Sequence, residues 1–419
     1  MKAITLAKSF IALTTLSFML SSCGKEVAQK TQEPAATVVT PGSNEGDIIP
    51  NQYIVMVKET AVPSAISYLS GPINDRATKS RLMKEHSTTV IRQLNDILIA
   101  EGINTTQVMD YYTAVAPGFA IKLTDEEVEK LSKNTKVDLL EHNRVEKLPE
   151  FVVESTTPSG GRAQTTPCGI SNAGGAANAS TSRWIWIVDT GIDLDHPDLN
   201  VQTNYSRSFV GGSANDCNGH GTHVAGTAAA RNNSIGVVGV AAGAPVVAVR
   251  VFGCSGGTAT NTILNGLNHV ASNDLAGDVV NLSLGGFYGS NCSSNSPYRN
   301  TLRNMGNANT RIAIAAGNSN ANAAQYSPAC INENNVRTVA SMTCGRGWSS
   351  FSNYGRGPCD YIATGSSVYS TYLNGSYATL SGTSMATPHV AGIMQVRNGL
   401  PNTSGSVSNR GTSYPIAKR

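Results

Sequence analysis

The chain has 419 residues, of which 14% are charged, with 41 glycines and a formal net charge of +3. That length accommodates two or three domains. The near-balanced charge, without a basic stripe, excludes a nucleic-acid surface built on electrostatics, and the many small residues suit a compact, loop-rich extracellular protein.

At the N-terminus, Lys2 and Lys8 flank a short apolar core, Phe10 to Leu20, too short to span a membrane comfortably. It ends in Leu20-Ser-Ser-Cys23 and resembles a bacterial lipoprotein signal. Removal of residues 1–22 and lipidation of Cys23 are therefore expected. Residues 23–50, rich in Thr, Pro, Glu, Gly and Ala, read as a flexible tether. Residues 51–150 read as a small α+β domain. Tyr53–Val57 and Phe119–Leu123 are strand signals, and Lys79–Ala100 carries the helical spacing of Leu82, Val90, Leu94, Ile97 and Leu98. Thr124-Asp-Glu-Glu127 is a capping box that opens a second helix. Val137–Leu140 and Val145 suggest a last strand. The tail Leu148 to Arg162 reads as a cleavable linker.

The next elements carry chemistry. Trp184-Ile-Trp-Ile-Val-Asp189 is an apolar strand ending in a carboxylate at a turn. Asn218-Gly-His220-Gly-Thr-His-Val-Ala-Gly226 opens a small-residue helix at His220. Arg311-Ile-Ala-Ile-Ala-Ala-Gly-Asn318 is a buried-strand pattern ending in an amide, and Gly382-Thr-Ser384-Met-Ala-Thr-Pro-His-Val-Ala-Gly392 starts a helix at a serine, where Pro388 is tolerable only near the first turn. A serine hydroxyl is a weak nucleophile until a base takes its proton and an oriented carboxylate holds that base. His220 would be the base, Asp189 the orienting group, and the Asn318 amide with the Ser384 backbone N–H the donors to a developing oxyanion. His223, His389, His196 and His269 read as structural or surface residues. Asp193 and Asp195 read as turn stabilisers with local backbone bonds.

The order Asp189, His220, Ser384, with Asn318 between the last two, resembles the subtilisin-like serine proteases, over about Ala163 to Val396. The resemblance implies an α/β, doubly wound, mostly parallel sheet. Apolar runs at Ile185–Val188, Val246–Val251, Val279–Ser283, Ile312–Ala316 and Val336–Ser341, with helical stretches such as Thr262–Ser272 between them, agree with such a sheet. It also implies that residues 51–150 are a ferredoxin-like propeptide, a chaperone and inhibitor of its own enzyme. Ala163-Gln-Thr-Thr-Pro-Cys-Gly resembles the start of mature subtilisins, so cleavage near Arg162 is expected.

Further expectations rest on the same resemblance. Structural calcium would be held by side chains of Gln164, Asp198 and Asn233 and carbonyls of Arg231, Ile235 and Val237, an all-oxygen set suited to a hard cation. Ser283, Leu284 and Gly285 would line the primary specificity pocket with Ala315, Ala316 and Gly317, leaving it neutral, and Asn281–Gly286 would add a strand to an extended peptide. The second rim, Gly256–Thr260, lacks an aromatic. Cys217 and Cys254 match a disulfide of the proteinase K branch. Cys330 and Cys359 resemble a second pair, Cys344 competes with either, and Cys168 and Cys292 are left without a partner. Residues 401–419 read as a short polar tail after a peptidase domain spanning 163–400. The expectation is a monomeric serine endopeptidase acting on protein and peptide substrates. It would be made as an autoprocessed lipoprotein zymogen in the cell envelope, with the mature enzyme released outside. A processing protease of narrow specificity, or a cleft that only binds peptide, are the competing readings.

Overall fold

The computed structural model describes residues 44–158, 163–289, 292, 296–355 and 357–419. The expected signal, Cys23, most of the tether and Arg162 lie outside the described residues. No helix among the described residues is long and apolar enough to cross a membrane.

Between Ile48 and Lys147 the chain forms strand β1 (Ile48–Val57), helix α1 (Arg76–Ala100), β2 (Val108–Tyr112), β3 (Gly118–Lys122), α2 (Asp125–Lys133) and β4 (Val137–Lys147). The strands pair antiparallel in the order β4-β1-β3-β2. The apolar spacing of α1 buries Met83, Val90, Leu94, Ile97 and Leu98. At α2 both halves of the Thr124–Glu127 capping box are formed. β1 starts at Ile48, within the stretch read as tether, and β2 carries no signal that the sequence reading singled out.

The larger part of the chain is a central parallel sheet flanked by helices. Its strands lie in the order Cys359–Thr364, Val336–Met342, Arg311–Ala315, Val279–Leu282, Ile185–Asp189 and Pro245–Arg250, all parallel. Both faces are covered, so these strands are nearly continuous apolar runs, and Ile185–Asp189 is buried at every position. The chain winds outward from Ile185–Asp189 in both directions. Reversals of this kind open a crevice at the carboxyl ends of the strands, and Asp189, Leu282 and Ala315 stand at those ends. Helices α4 (His220–Ala229) and α7 (Thr383–Arg397) pack against each other beside this edge. Between them in sequence come α5 (Thr260–Asn273) and α6 (Pro297–Asn307); a short α3 (Cys168–Asn172) precedes all four.

Two segments differ from the sequence reading. Residues 151–162 are not simply a linker: Val152–Thr157 forms β5, antiparallel to Tyr377–Ser381, the strand leading into α7. Residues 401–419 are not a loose tail. Asn402–Asn409 and Thr412–Lys418 form an antiparallel hairpin, and Ile416 pairs parallel with Ile362 on the edge strand of the central sheet. The hairpin buries Val407, Tyr414, Ile416 and Ala417. Its alternation is hidden by serines and threonines.

The cysteines also pair differently. Cys217–Cys254 is present as expected, but the other disulfides are Cys168–Cys344 and Cys292–Cys330. Cys359 is a buried free thiol rather than the partner of Cys330. It starts the strand Cys359–Thr364, between Val336–Met342 and the C-terminal hairpin, whereas Cys330 is bonded to Cys292.

Candidate active site

Helix α4 begins at Gly219, whose φ of 100° lies in the left-handed region that glycine adopts without strain. The Asp216 carboxylate accepts hydrogen bonds from the backbone N–H groups of Gly219 (3.0 Å), Asn218 (2.9 Å) and Thr222 (3.0 Å), so it caps the helix. Sequence reasoning missed Asp216, although an acidic residue just ahead of a helix is a usable signal. A Cβ on Gly221 would lie 2.1 Å from the Gly191 carbonyl oxygen, so only glycine lets α4 approach the turn after Asp189 this closely. The result is a buried pair: His220 Nδ1 lies 2.8 Å from Asp189 Oδ1, which also accepts from Thr190 N–H at 2.7 Å. Among the described residues, His220 Nε2 and Asp189 Oδ2 have no hydrogen-bond partner.

Ser384 lies in the first turn of α7. Its Oγ donates to the Ser283 carbonyl at 3.3 Å, so the hydroxyl is turned toward the Val279–Leu282 strand end. Pro388 sits inside α7, beyond the first turn to which the sequence reading confined it. The N–H it lacks is the one that would bond the Ser384 carbonyl. The Ser283 hydroxyl donates to that carbonyl instead, at 2.8 Å, and is itself held by Asn281 Nδ2 at 2.8 Å.

The Asn318 amide is fixed by Thr383, whose N–H and Oγ1 donate to Asn318 Oδ1 at 2.8 and 2.7 Å. Its Nδ2 then points into the crevice and donates to the backbone carbonyl of Glu150 at 2.6 Å. The Phe151 ring follows directly, 4.9 Å from the His220 ring. The tail of the N-terminal domain thus runs through the crevice. On one side of Glu150, β4 pairs antiparallel with Gly257–Ala259, and Leu148 N–H donates to the Gly256 carbonyl at 2.9 Å. On the other side β5 pairs with Tyr377–Ser381. The added strand forms on the Gly256–Ala259 rim. Ser283, Leu284 and Gly285 follow the Val279–Leu282 strand, and Ala315, Ala316 and Gly317 end its parallel neighbour, so the two segments flank the crevice.

The rim read as lacking an aromatic is joined by two from elsewhere. The buried Glu146 carboxylate accepts from Thr260 Oγ1 (2.8 Å), Tyr298 OH (3.2 Å) and Tyr288 OH. Burial pushes this carboxyl up. Tyr288 and Tyr298 are remote in sequence, which is why the motif did not reveal them.

The expected calcium residues meet on one loop. Asp198 is fully buried and accepts from Asn233 Nδ2 (2.8 Å), Val237 N–H (3.1 Å) and Tyr377 OH (3.3 Å). Gln164 Oε1 accepts from Asn233 N–H at 2.5 Å, while its amide nitrogen donates to Asn232. Residues 163–165 bridge to Ile235 and Val237, and Arg231 N–H donates to the Asp198 carbonyl.

The other histidines are packing residues. His223 Nε2 faces the Val368 and Ala378 carbonyls, and His389 Nδ1 the Met385 carbonyl. Burial lowers both, to about 3 and about 4. His196 is buried rather than at the surface, with Nε2 3.1 Å from the Ser376 carbonyl. His269 is half-buried against the Tyr205 carbonyl. Asp193 does more than hold its own turn, since its carboxylate accepts from the distant Gly375 N–H at 2.8 Å.

A crevice that holds an extended backbone between a serine-bearing helix and a buried Asp–His pair is the arrangement of a peptide-bond hydrolase, and comparison with known proteins agrees. Residues 183–407 match the Subtilase family and residues 52–149 match the Peptidase inhibitor I9 family, and the chain belongs to the subtilase family of serine proteases, with an I9 propeptide. It is similar to the extracellular serine proteinase of Thermus sp. (strain Rt41A), at 32% identity over 89% of this chain and 86% of that one. It is also similar to M-protease of Shouchella clausii (strain KSM-K16), at 38% identity over 70% and 75%. Among solved structures, a cold-adapted subtilisin-like serine proteinase aligns with a TM-score of 0.50 and 34% identity, covering 57% of this chain and 90% of that one.

Proposed function

We propose that this chain is a secreted serine endopeptidase whose nucleophile is Ser384, whose general base is His220 and whose orienting carboxylate is Asp189. The observation that carries the reading is the backbone carbonyl of Glu150 held by Asn318 Nδ2 beside the buried Asp189–His220 pair. In turnover the Ser384 hydroxyl rotates from the Ser283 carbonyl to the free Nε2 of His220. It attacks a carbonyl carbon whose oxygen is received by Asn318 and the Ser384 N–H. His220 takes the hydroxyl proton and returns it to the leaving amine; water then reverses the sequence. Ser283, Leu284, Gly285, Ala315, Ala316 and Gly317 line a neutral specificity pocket, and the I9 domain is the enzyme's own inhibitor.

Calcium is part of the proposal. Asp198 is a buried carboxylate with no cationic partner among the described salt bridges; the Asn233 amide nitrogen donates to it, while the amide oxygens of Gln164 and Asn233 accept from the Asn233 and Ile235 N–H groups of the same loop. That donor set, with the carbonyls of Arg231, Ile235 and Val237, fits a hard cation. The ion would tie residues 163–165 to the loop. The precursor would be lipid-anchored at Cys23 and the mature monomer released.

A fluorophosphonate probe tests the catalytic assignment. The wild-type chain should be labelled on Ser384 and should hydrolyse casein, whereas Ser384→Ala should do neither while remaining folded by circular dichroism and uncut. Labelling of another serine, or casein hydrolysis by Ser384→Ala, would remove Ser384 from the role.

A further inference from the structure

We propose that the first self-cleavage falls between Glu150 and Phe151, well upstream of Ala163, and that β5 then stays across the crevice as a second inhibitor requiring separate removal. The inference rests on the catalytic reading above and names the bond on which it first acts.

Three observations fix the bond. The Glu150 carbonyl is the one that reaches Asn318 Nδ2. The next residue, Phe151, lies against the base His220. The pairing of Val152 with Ser381 begins immediately beyond. The peptide bond between the carbonyl held by the oxyanion donor and the residue beside the base is the one presented for attack. The Glu150 side chain is exposed, so this placement buries no carboxylate. Ser384 Oγ would add to the Glu150 carbonyl carbon while His220 accepts its proton. The Glu150–Phe151 C–N bond then breaks, and the Phe151 amine leaves with that proton. Water hydrolyses the Glu150 ester, giving a carboxylate and restoring the serine.

The cut does not clear the crevice. Residues 163–165 are already bound to the Ser234–Val237 loop, so the new N-terminal segment is anchored at its far end. β5 keeps its pairing from Val152–Ser381 to Thr157–Tyr377. Glu154 also accepts from Ser367 Oγ (3.0 Å) and from Ser381 Oγ, the latter the last residue of the strand that β5 pairs with. Tethered at both sides, the strand blocks the half of the crevice in which the leaving part of a substrate must lie.

Full-length chain should be followed during maturation by intact mass, N-terminal sequencing and fluorophosphonate labelling. The first new termini should be Glu150 and Phe151, with loss of β5 later. Full labelling should track that loss, and Glu154→Ala should shorten the interval. A first N-terminus at Glu150 or at Ala163, in chain that still labels on Ser384, would overturn the bond assignment alone. A Phe151-started species freed of the I9 domain that hydrolyses casein as fast as trimmed enzyme would overturn the inhibitory role of β5. Absence of both cleavage and labelling would defeat the catalytic reading itself. Phe151→Pro, which turns the scissile secondary amide into a tertiary one without an N–H, should stall the first cut; unchanged cutting at that bond counts against the assignment.

Discussion

Asn318 is held in one orientation. Its oxygen takes two hydrogen bonds from Thr383, which leaves the amide hydrogens aimed into the crevice. Asn318→Ala should therefore fold and bind substrate but lose roughly 10²–10³ in kcat, the loss typical of deleting one oxyanion-hole donor in a subtilisin. The measurement is kcat and KM on a chromogenic peptide; a loss confined to KM would mean that Asn318 only binds the ground state. At this scale the sequence marks where the candidate residues stand: Asp189 ends a strand, His220 and Ser384 lie in the first turns of helices, and Asn318 follows a strand by three residues. What positions them was less legible. Asp216, and the Ser283 hydroxyl that compensates for Pro388, act across the fold and leave no local signature.

Among elements, the loop around Asn233 joins the start of the peptidase domain to a buried carboxylate. An ion bound only by the folded loop stabilises it by mass action, about 2.7 kcal/mol at a concentration of 100 Kd. Chelation should lower Tm and hasten self-digestion, added calcium should restore both, and Asp198→Asn should make Tm insensitive to calcium. A wild-type Tm unmoved by either chelator or calcium would dispose of the site. The parallel strands were readable because burial on both faces makes them continuous apolar runs. β5 was not, because Val152 and Val153 are exposed and the rest of the strand is polar. Nor was the C-terminal hairpin, where a few apolar residues stand among serines and threonines. The disulfide partners of Cys168 and Cys292 depend on which loops the fold brings together.

Over the whole molecule, the propeptide docks through polar groups as much as apolar ones. Arg76 pairs with the buried Asp278 (2.6 Å) and stacks on Trp184, and Asn268 caps two backbone N–H groups of the small domain. Burial in the docked state drives carboxyls of the N-terminal part upward, Glu146 among them. Burial pushes Asp110 to about 6 against hydrogen bonds from Asn261 and Asn265, and burial with the neighbouring Glu146 charge pushes Glu45 to about 7. A carboxyl whose docked pKa exceeds its free value takes up a proton on docking. Its contribution is full below the free value and is lost as pH rises through the docked one. The processed propeptide should therefore hold the enzyme more tightly at pH 5 than at pH 8, with the loss steepest between about 4 and 7. Inhibition titrations across that range check it; tighter inhibition at pH 8 would reverse the sign and refute the argument.

Cys359 has a different consequence. Burial pushes its thiol up to about 12, so no thiolate exists at neutral pH while the sheet is intact. Once the sheet opens, the same sulfur regains an ordinary pKa of about 8.5 and meets three disulfides in its own chain. It can then attack them and reshuffle the pairing for as long as the chain stays unfolded. A side chain silent in the native state thus sets how forgiving the protein is of heat. Cys359→Ser, or a thiol-blocking reagent present during heating, should raise the activity recovered on cooling; equal recovery would mean that scrambling is not what makes the loss permanent.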